Sequence, residues 1–513
     1  MKFRVGKYAD FFELIKKAIA VLAAYCLAMI FFASTGGAWT SDELLALTQD
    51  QLKWWLLSIV IIACLLLLLF NSFQKIVFQS NVKNKLLVSF LCILTYFCGF
   101  YGDIKEYFVY FILTILWLEL FLILTNDLHI IWNAFVNITV FFAFLSLVFY
   151  LLGTCFNFIP ETGTTSLAWG VWDTSSIKTY FNLYYQSQFV NINGDTIIPR
   201  NCGIFSEAPM YNFVLCVALS VELFISKHIH YWKVILLIIT ILSTFSTTGY
   251  LFIIIAGLLY FSNIIFTMKG MTVHKIAFIV LLLLGLVIIV SIMLQKITSI
   301  SGIGSVNVRS DHLFACLKAW KDSPIIGVGF QNQEAILAYA ERKQGLSVGL
   351  TYFLAMGGMV LTSVILVPYF INGIEAAKKK MFDEFIFESL FLFLYFFTAI
   401  TTYAILRLFI AYIIVVNLSQ LTTSTKVDSL REKLNVIFSS RTYSVKNYLF
   451  YISRRKKSIF GVSIISGGLF CIFCILKNNR IFYWGLLYGL LAFVGVLLFM
   501  LLVNYIKYLK AES

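Results

Sequence analysis

Charge is scarce in this sequence. Asp, Glu, Lys and Arg make up 12% of the 513 residues, against 60% hydrophobic and 17% aromatic. Soluble domains carry about a quarter charged residues, so a soluble fold of this length is excluded. Also lacking are a Walker loop, a dinucleotide glycine motif, an inner nucleotide-binding domain and any His/Cys/Asp cluster with metal spacing. Those absences argue against an ATP-driven pump, and no cofactor or metal is expected. The ten cysteines form no framework. Cys26, Cys64 and Cys92 lie in apolar runs as small packing residues. Cys471 and Cys474 have CxxC spacing, but inside a hydrophobic run with no second ligand pair, which argues against zinc. Cys155 and Cys202 flank a polar stretch and could pair on an oxidising side, although spacing alone does not fix connectivity. No internal repeat and no soluble domain is visible.

What is present is a series of apolar runs near the ~20 residues that cross a bilayer as a helix. Hydropathy predicts about fourteen, near 16–34, 54–71, 86–101, 107–125, 130–152, 204–226, 231–246, 250–267, 275–295, 350–371, 385–401, 404–421, 459–476 and 481–506. The fold class expected is therefore an all-α polytopic membrane protein with about 12–14 transmembrane helices. The net charge of +14 then bears on topology first. With the N-terminus inside, most Lys and Arg fall inside, including Lys378–Lys380 and Arg454–Lys457. Lys2, Arg4, Lys7, Lys16 and Lys17 precede the first run, and Ala33–Ala38 imitates a signal-peptide cleavage site. The further spans favour an uncleaved first helix. On this layout two long polar interruptions, 153–203 and 296–349, lie on the same extracytoplasmic face of a transmembrane core spanning 1–421. Residues 422–458 read as a basic cytoplasmic linker drawn to anionic lipid, with no nucleic-acid motif. Residues 459–513 read as an appended transmembrane hairpin.

Function should lie where those loops meet the scaffold. In the second, Val308–Lys321 has Leu313, Leu317 and Trp320 at helical spacing, as for an amphipathic helix lying at the interface. Ser310 or Asn307 could cap its start, and Pro324 should stop it. Arg309 and His312, three apart, then share a side. An arginine fork fits phosphate, so Arg309 could grip a lipid-linked phosphate or simply snorkel to head groups. The first loop ends at Arg200, and Gly203 and Pro209 bracket an irregular helix entry containing Glu207. Arg200 and Glu207 could serve catalysis or merely pair there. Trp169, Trp172, Tyr180, Tyr184 and Tyr185 suit an interfacial belt or stacking on sugar rings. Within spans, Glu119, Glu222 and Arg407 are costly charges. Glu222 could reach Lys227, and Arg407 could face an outer cavity. Ser246–Tyr250 reads as a small turn whose hydroxyls cap the flanking helices.

The ordered set Arg200-Asn-Cys-Gly-Ile-Phe-Ser-Glu-Ala-Pro209, Ser246-Thr-Thr-Gly-Tyr250, Arg309, Asp322-Ser-Pro-Ile-Ile-Gly-Val-Gly-Phe330 and Gly357-Gly358 resembles the O-antigen polymerase and O-antigen ligase family of bacterial envelope glycosyltransferases. The resemblance covers about residues 200–360 and leaves out the segment after 458. It implies a GT-C-like architecture in the cytoplasmic membrane. It further implies an undecaprenyl-pyrophosphate-linked oligosaccharide as substrate, with neither ATP nor metal, and a chain-length regulator and a flippase as partners beside membrane lipid. A polymerase of this kind moves a growing glycan from its carrier onto the next lipid-linked repeat unit, making capsule, exopolysaccharide or O-antigen. Arg200 and Arg309 match the family's arginine-bearing segments and would stabilise the departing pyrophosphate. Arg407, Trp169, Trp172 and Tyr250 are further candidates for binding substrate. One departure stands out: ligases keep a histidine about eleven residues before the last glycine motif, where this chain reads Leu346-Ser347-Val348. That lowers the ligase alternative and leaves the acceptor's base open, with Glu207 and His312 as candidates by chemistry. A flippase for lipid-linked oligosaccharide is the alternative of a different class. It would favour two similar halves and short loops, which this chain lacks.

Overall fold

The computed structural model describes residues 4–40, 43–72, 105–125, 127–169, 173–191, 197–267, 284, 300–330, 332–342, 346–379 and 382–422. The expected spans 86–101, 275–295, 459–476 and 481–506, the linker 422–458 beyond its first residue, and Trp172 lie outside the described residues. Contacts divide the chain into two units, Ala23–Leu68 with Ile76–Thr422, and Met1–Leu22 with Leu69–Lys75 and Thr423–Ser513. Of the second unit only the helical residues 4–22 and 69–72 are described. The packing and the candidate site described below lie within the first.

The described residues are mostly helical. Helices α1 (Arg4–Ala33), α2 (Glu43–Ser72), α3 (Lys105–Thr125) and α4 (Ile130–Val148) come first, and α4 runs into a π-helical turn, Phe149–Cys155. After the first loop come α5 (Ala208–Phe224), α6 (Tyr231–Ser243) and α7 (Thr247–Thr267). Then follow α8 (Ile300–Asp322), the short α9 (Gln333–Leu337), α10 (Leu350–Lys379), α11 (Asp383–Phe397) and α12 (Ala404–Thr422). Among the described residues three stretches, Leu14–Ala33, Ile130–Cys155 and Leu350–Lys379, are long and apolar enough to cross a membrane. The chain is thus a helical protein built for membrane association.

Helix α5 is the hub and packs against α4, α6, α7 and α11. It is buried almost all round, as Tyr211–Glu222 shows, which is what an apolar helix without a polar face requires. Aromatic rings tie the hub to its neighbours: Phe213 meets Phe391 edge-on, Phe391 stacks on Phe409 at 3.9 Å, and Trp132 packs on Phe387 and Tyr412. Many other large apolar side chains, such as Trp232, Ile235, Phe144 and Phe370, are exposed. That is the pattern of helices whose outer solvent is lipid.

The first loop is not all coil. Strands β1 (Gly163–Trp169), β2 (Asp173–Tyr180) and β3 (Tyr184–Gln186) form an antiparallel meander, with Gly163 opposite Thr179 and Trp169 opposite Asp173. Strands β4 (Phe189–Asn191) and β5 (Ile197–Pro199) pair separately. The all-α expectation therefore holds for the scaffold but not for this loop. The tyrosines read as a surface belt are here the loop's own core. Tyr180 and Tyr184 are buried with Phe149 and Tyr150 of the π turn, and Tyr185 is buried as well. A small sheet needs an apolar face covered, and these rings supply it.

Helix α8 also differs from expectation. It begins at Ile300, eight residues before Val308, so neither Asn307 nor Ser310 caps it; Ser310 Oγ instead donates back to the Asn307 carbonyl. It ends at Asp322, just ahead of Pro324. Its buried side is His312, Ala315, Cys316 and Ala319, packed on α10, while Phe314 and Leu317 face outward. Small residues permit close helix approach, and the large apolar ones are left for lipid.

The segment after α8 locks into a break in α10. Gly358 has φ 58° and ψ −163°, so the helix ladder is interrupted there. The freed groups bond to the incoming loop: Val328 N–H donates to Ala355 O (2.9 Å), Gly329 N–H to Met356 O (3.0 Å), Met359 N–H to Pro324 O (2.9 Å) and Val360 N–H to Ile325 O (3.1 Å). A broken helix is tolerated because another strand of backbone satisfies it. Two glycine motifs far apart in sequence are thereby one structural joint.

Candidate active site

The α1–α2 connection, the segment 200–207 and the turn before α12 meet at one end of the bundle. Ala38 N–H donates to Ile204 O (2.8 Å), Ser206 N–H and Oγ both donate to Gly36 O (3.1 Å), and a β-bridge joins Gly37 to Phe205. Asn201, fully buried, holds this layer together. Its amide nitrogen donates to Ser146 Oγ (3.2 Å) and Ser243 Oγ (3.0 Å), and its oxygen accepts from Gly203 N–H. Sequence reading passed over Asn201, though its place next to Arg200 was a signal.

Arg200 is half-buried above this layer. Its Nε donates to Thr244 O at 2.8 Å and its Nη1 to Gln188 Oε1 at 3.1 Å. Gln188 Oε1 also accepts Ala208 N–H (3.0 Å), so one neutral amide joins the arginine to the start of α5. Burial pulls the guanidinium below its ordinary value, and Cys202, Glu207 and Tyr250 partly offset that. Glu207 is the residue before α5 and makes no side-chain capping bond. Burial raises its carboxyl above the ordinary range, and Arg200 opposes the shift. The two are in electrostatic reach yet form no ion pair within 4.0 Å among the described residues. Tyr250 stands beside them with its hydroxyl donating to Leu242 O (3.1 Å). Ser246–Tyr250 is thus the entry into α7 and not a free turn, since Tyr250 N–H already bonds Ser246 O.

Glu207 links onward to Tyr403, whose hydroxyl is raised to about 12 by burial with a further contribution from Glu207. Tyr403 lines a cavity of about 390 Å³ together with Arg407, Lys53, Tyr110 and Phe330. The structure therefore brings Arg200, Glu207 and Tyr250 together and connects them through Tyr403 to the Arg407 cavity. Gln188, Lys53, Tyr110 and Tyr403 are members that sequence reading missed. They are scattered over a polar loop, two run boundaries and one apolar run, so no local motif pointed to them.

Arg309 sits elsewhere on the same unit, half-buried on α8. Among the described residues it makes no hydrogen bond or ion pair, and burial lowers its guanidinium. No contact places it beside Arg200. Trp169 lies in β1, opposite Asp173.

His312 is fully buried and occupied at both ring nitrogens. Ser347 N–H donates to Nδ1 (3.2 Å) with Ser347 Oγ 2.9 Å from the same atom, and Nε2 lies 3.2 Å from Arg342 O. An amide can only donate, so Nδ1 is the acceptor and Nε2–H donates to the carbonyl. Next to it, Asp311 accepts Glu341 N–H (3.1 Å) and Arg342 N–H (2.9 Å). The pair clasps Glu341, Arg342 and Ser347 onto α8, a positioning role in place of the base that chemistry alone suggested. His312→Ala should loosen that clasp by about 1–3 kcal/mol. Hydrogen exchange of residues 341–349 should quicken while the transmembrane helices stay protected.

The other charges within spans divide. Glu222 does not reach Lys227; its carboxylate accepts His230 N–H (2.7 Å) and lies 2.9 Å from His230 Nδ1 and 3.9 Å from Lys233 Nζ. Glu119 is fully buried with neither carboxyl oxygen hydrogen-bonded among the described residues. Cys155 and Cys202 are both free thiols. Among the described residues no group of three His, Cys, Asp or Glu side chains could hold a metal ion.

No family model matches the chain, and no curated protein or solved structure matches it either.

Proposed function

We propose that the protein polymerises lipid-linked oligosaccharide repeat units at the outer face of a bacterial cytoplasmic membrane, as a metal-independent glycosyltransferase with an undecaprenyl-pyrophosphate-linked donor. On this reading the scaffold has about 12–14 spans in a GT-C-like arrangement with the N-terminus cytoplasmic. The observation that carries the reading is an arginine surplus. Arg200, Arg309 and Arg407 are all wholly or partly buried, and none is in an ion pair with a carboxylate among the described residues. A buried cation without a counter-ion is costly and is kept where an anion comes and goes.

In the reaction an acceptor hydroxyl attacks the anomeric carbon of the donor glycan. The new glycosidic C–O bond forms as the old bond to pyrophosphate oxygen breaks, and the electron pair leaves with the pyrophosphate. Arg200 and Arg309 meet that developing charge. The acceptor's proton goes to Glu207, a carboxylate in electrostatic reach of Arg200, whose affinity for protons is raised by burial as a general base requires. Ligase activity is disfavoured by Leu346-Ser347-Val348, which carries no histidine.

The deciding experiment supplies purified protein with lipid-linked repeat units and no nucleotide. Long polymer on the lipid carrier is the expected product. Cells lacking the protein should still display single repeat units outside; their absence there would point instead to a flippase.

A further inference from the structure

The cavity around Arg407 holds more than the active-site reading uses. Arg407 is 7% exposed, and its guanidinium packs over Tyr110 (4.8 Å to the ring centre) and Phe111 (6.0 Å). Those ring faces stabilise the cation but accept no hydrogen bond. Its Nε is buried and has no hydrogen-bond partner among the described residues. Arg407 lies in the first turn of α12, and Ala404, the first residue of that helix, also lines the cavity. The leading amides of a helix have no acceptor within it, and its N-terminus favours anions. Lys53 of α2 lines the same cavity, and its carbonyl accepts Tyr110 Oη–H at 3.1 Å. Two cations thus border one space, and among the described residues no carboxylate lines it.

Ser34, Thr401 and Tyr403 add polar lining, and Ile30, Leu52 and Phe330 supply apolar walls. A free hydrated anion would gain little from such walls, whereas an ester carrying a hydrocarbon chain buries its apolar part there. Thr402, exposed, stands at the rim.

We propose that this cavity is a binding site for the phosphate end of a membrane lipid, held by Arg407 and Lys53 at the N-terminus of α12. The shared chemistry, a phosphate ester on a long apolar chain, fits a polyprenyl diphosphate or the head group of an anionic phospholipid. Binding here does not depend on the polymerase reading.

The test is binding to the full-length protein in detergent, titrated separately with undecaprenyl pyrophosphate, phosphatidylglycerol and inorganic pyrophosphate. Arg407→Gln should weaken binding of at least one of the two lipids tenfold or more. Thr402→Trp, which blocks the rim without touching the core charge, should do the same to the same lipid. Inorganic pyrophosphate should bind at least tenfold more weakly than that lipid. The lipid affected identifies the source. Unchanged lipid affinity in folded Arg407→Gln overturns the proposal; should that variant misfold, unchanged affinity in Thr402→Trp overturns it. Lipid bound in an Arg407-dependent way by protein that forms no polymer supports this site and sinks the polymerase reading alone.

Discussion

Arg200→Ala and Arg309→Ala should each lower polymer formation by about 100- to 1,000-fold, the usual loss when one fixed donor is removed from a developing anion. The two variants test different liabilities. Arg200 is also a strut, since its Nε holds the Thr244 carbonyl and its Nη1 holds Gln188. Its removal therefore costs some stability as well, about 1–3 kcal/mol for groups left unsatisfied. Arg200→Lys keeps the charge but loses the fork, so it should recover folding better than it recovers rate. Arg309 has no such partner to leave behind among the described residues, so Arg309→Ala should fold as well as the parent. Normal chain lengths from folded Arg309→Ala would end the assignment of that residue.

The pH profile separates charge stabilisation from support. Glu207 must be ionised to take a proton, and burial already raises its carboxyl, so activity should fall on acidification before an ordinary carboxylate would protonate. Arg200 opposes that shift. Removing it lets the carboxyl rise further, so the acidic limb of any residual activity in Arg200→Ala should move to higher pH. A limb that stays in place would remove Glu207 from the proton path.

How much of this was legible in the sequence depends on what each residue contacts. Helix positions were legible, because an uninterrupted apolar run has few other uses at that length. Helix faces were not. In a lipid-facing helix the large apolar side chains point outward as readily as inward, so Leu313, Leu317 and Trp320 did not mark the buried side of α8. Ala315, Cys316 and Ala319 did, through close packing on α10. His312 looked like a base because its partners, Arg342 and Ser347, are about thirty residues or more away in sequence. The tyrosines of the first loop looked interfacial because the sheet that buries them is local, short and without a strong alternating pattern. Arg200 with Glu207 was the part of the site most readable, since seven residues and an irregular helix entry already force them close. Arg407's connection to Tyr403 and Lys53 required three elements to meet.

The largest stability effect should come from Gly358→Ala. At φ 58° and ψ −163° the backbone is in a region open almost only to glycine, and a non-glycine residue there costs about 1–3 kcal/mol. An added Cβ would also run into the Ile325 carbonyl, while Gly327, at φ 71°, faces the Met356 carbonyl from the other side. The two segments cannot part to make room without breaking the four backbone hydrogen bonds between 324–329 and 355–360. Each such bond contributes about 0.5–1.5 kcal/mol, so a loss of at least about 3 kcal/mol is expected. Gly257→Ala is the matched control, because a Cβ on that glycine of α7 meets nothing within 4 Å. It should be neutral or raise stability by up to about 1 kcal/mol through helix propensity. Thermal unfolding of the two variants in detergent should therefore diverge by many degrees, and equal midpoints would mean the joint does not carry the fold. The joint also bears on function, since Phe330 follows it directly and lines the Arg407 cavity. Any Gly358→Ala protein that stays folded should accordingly lose affinity for phosphate lipid, although the substitution touches neither cation.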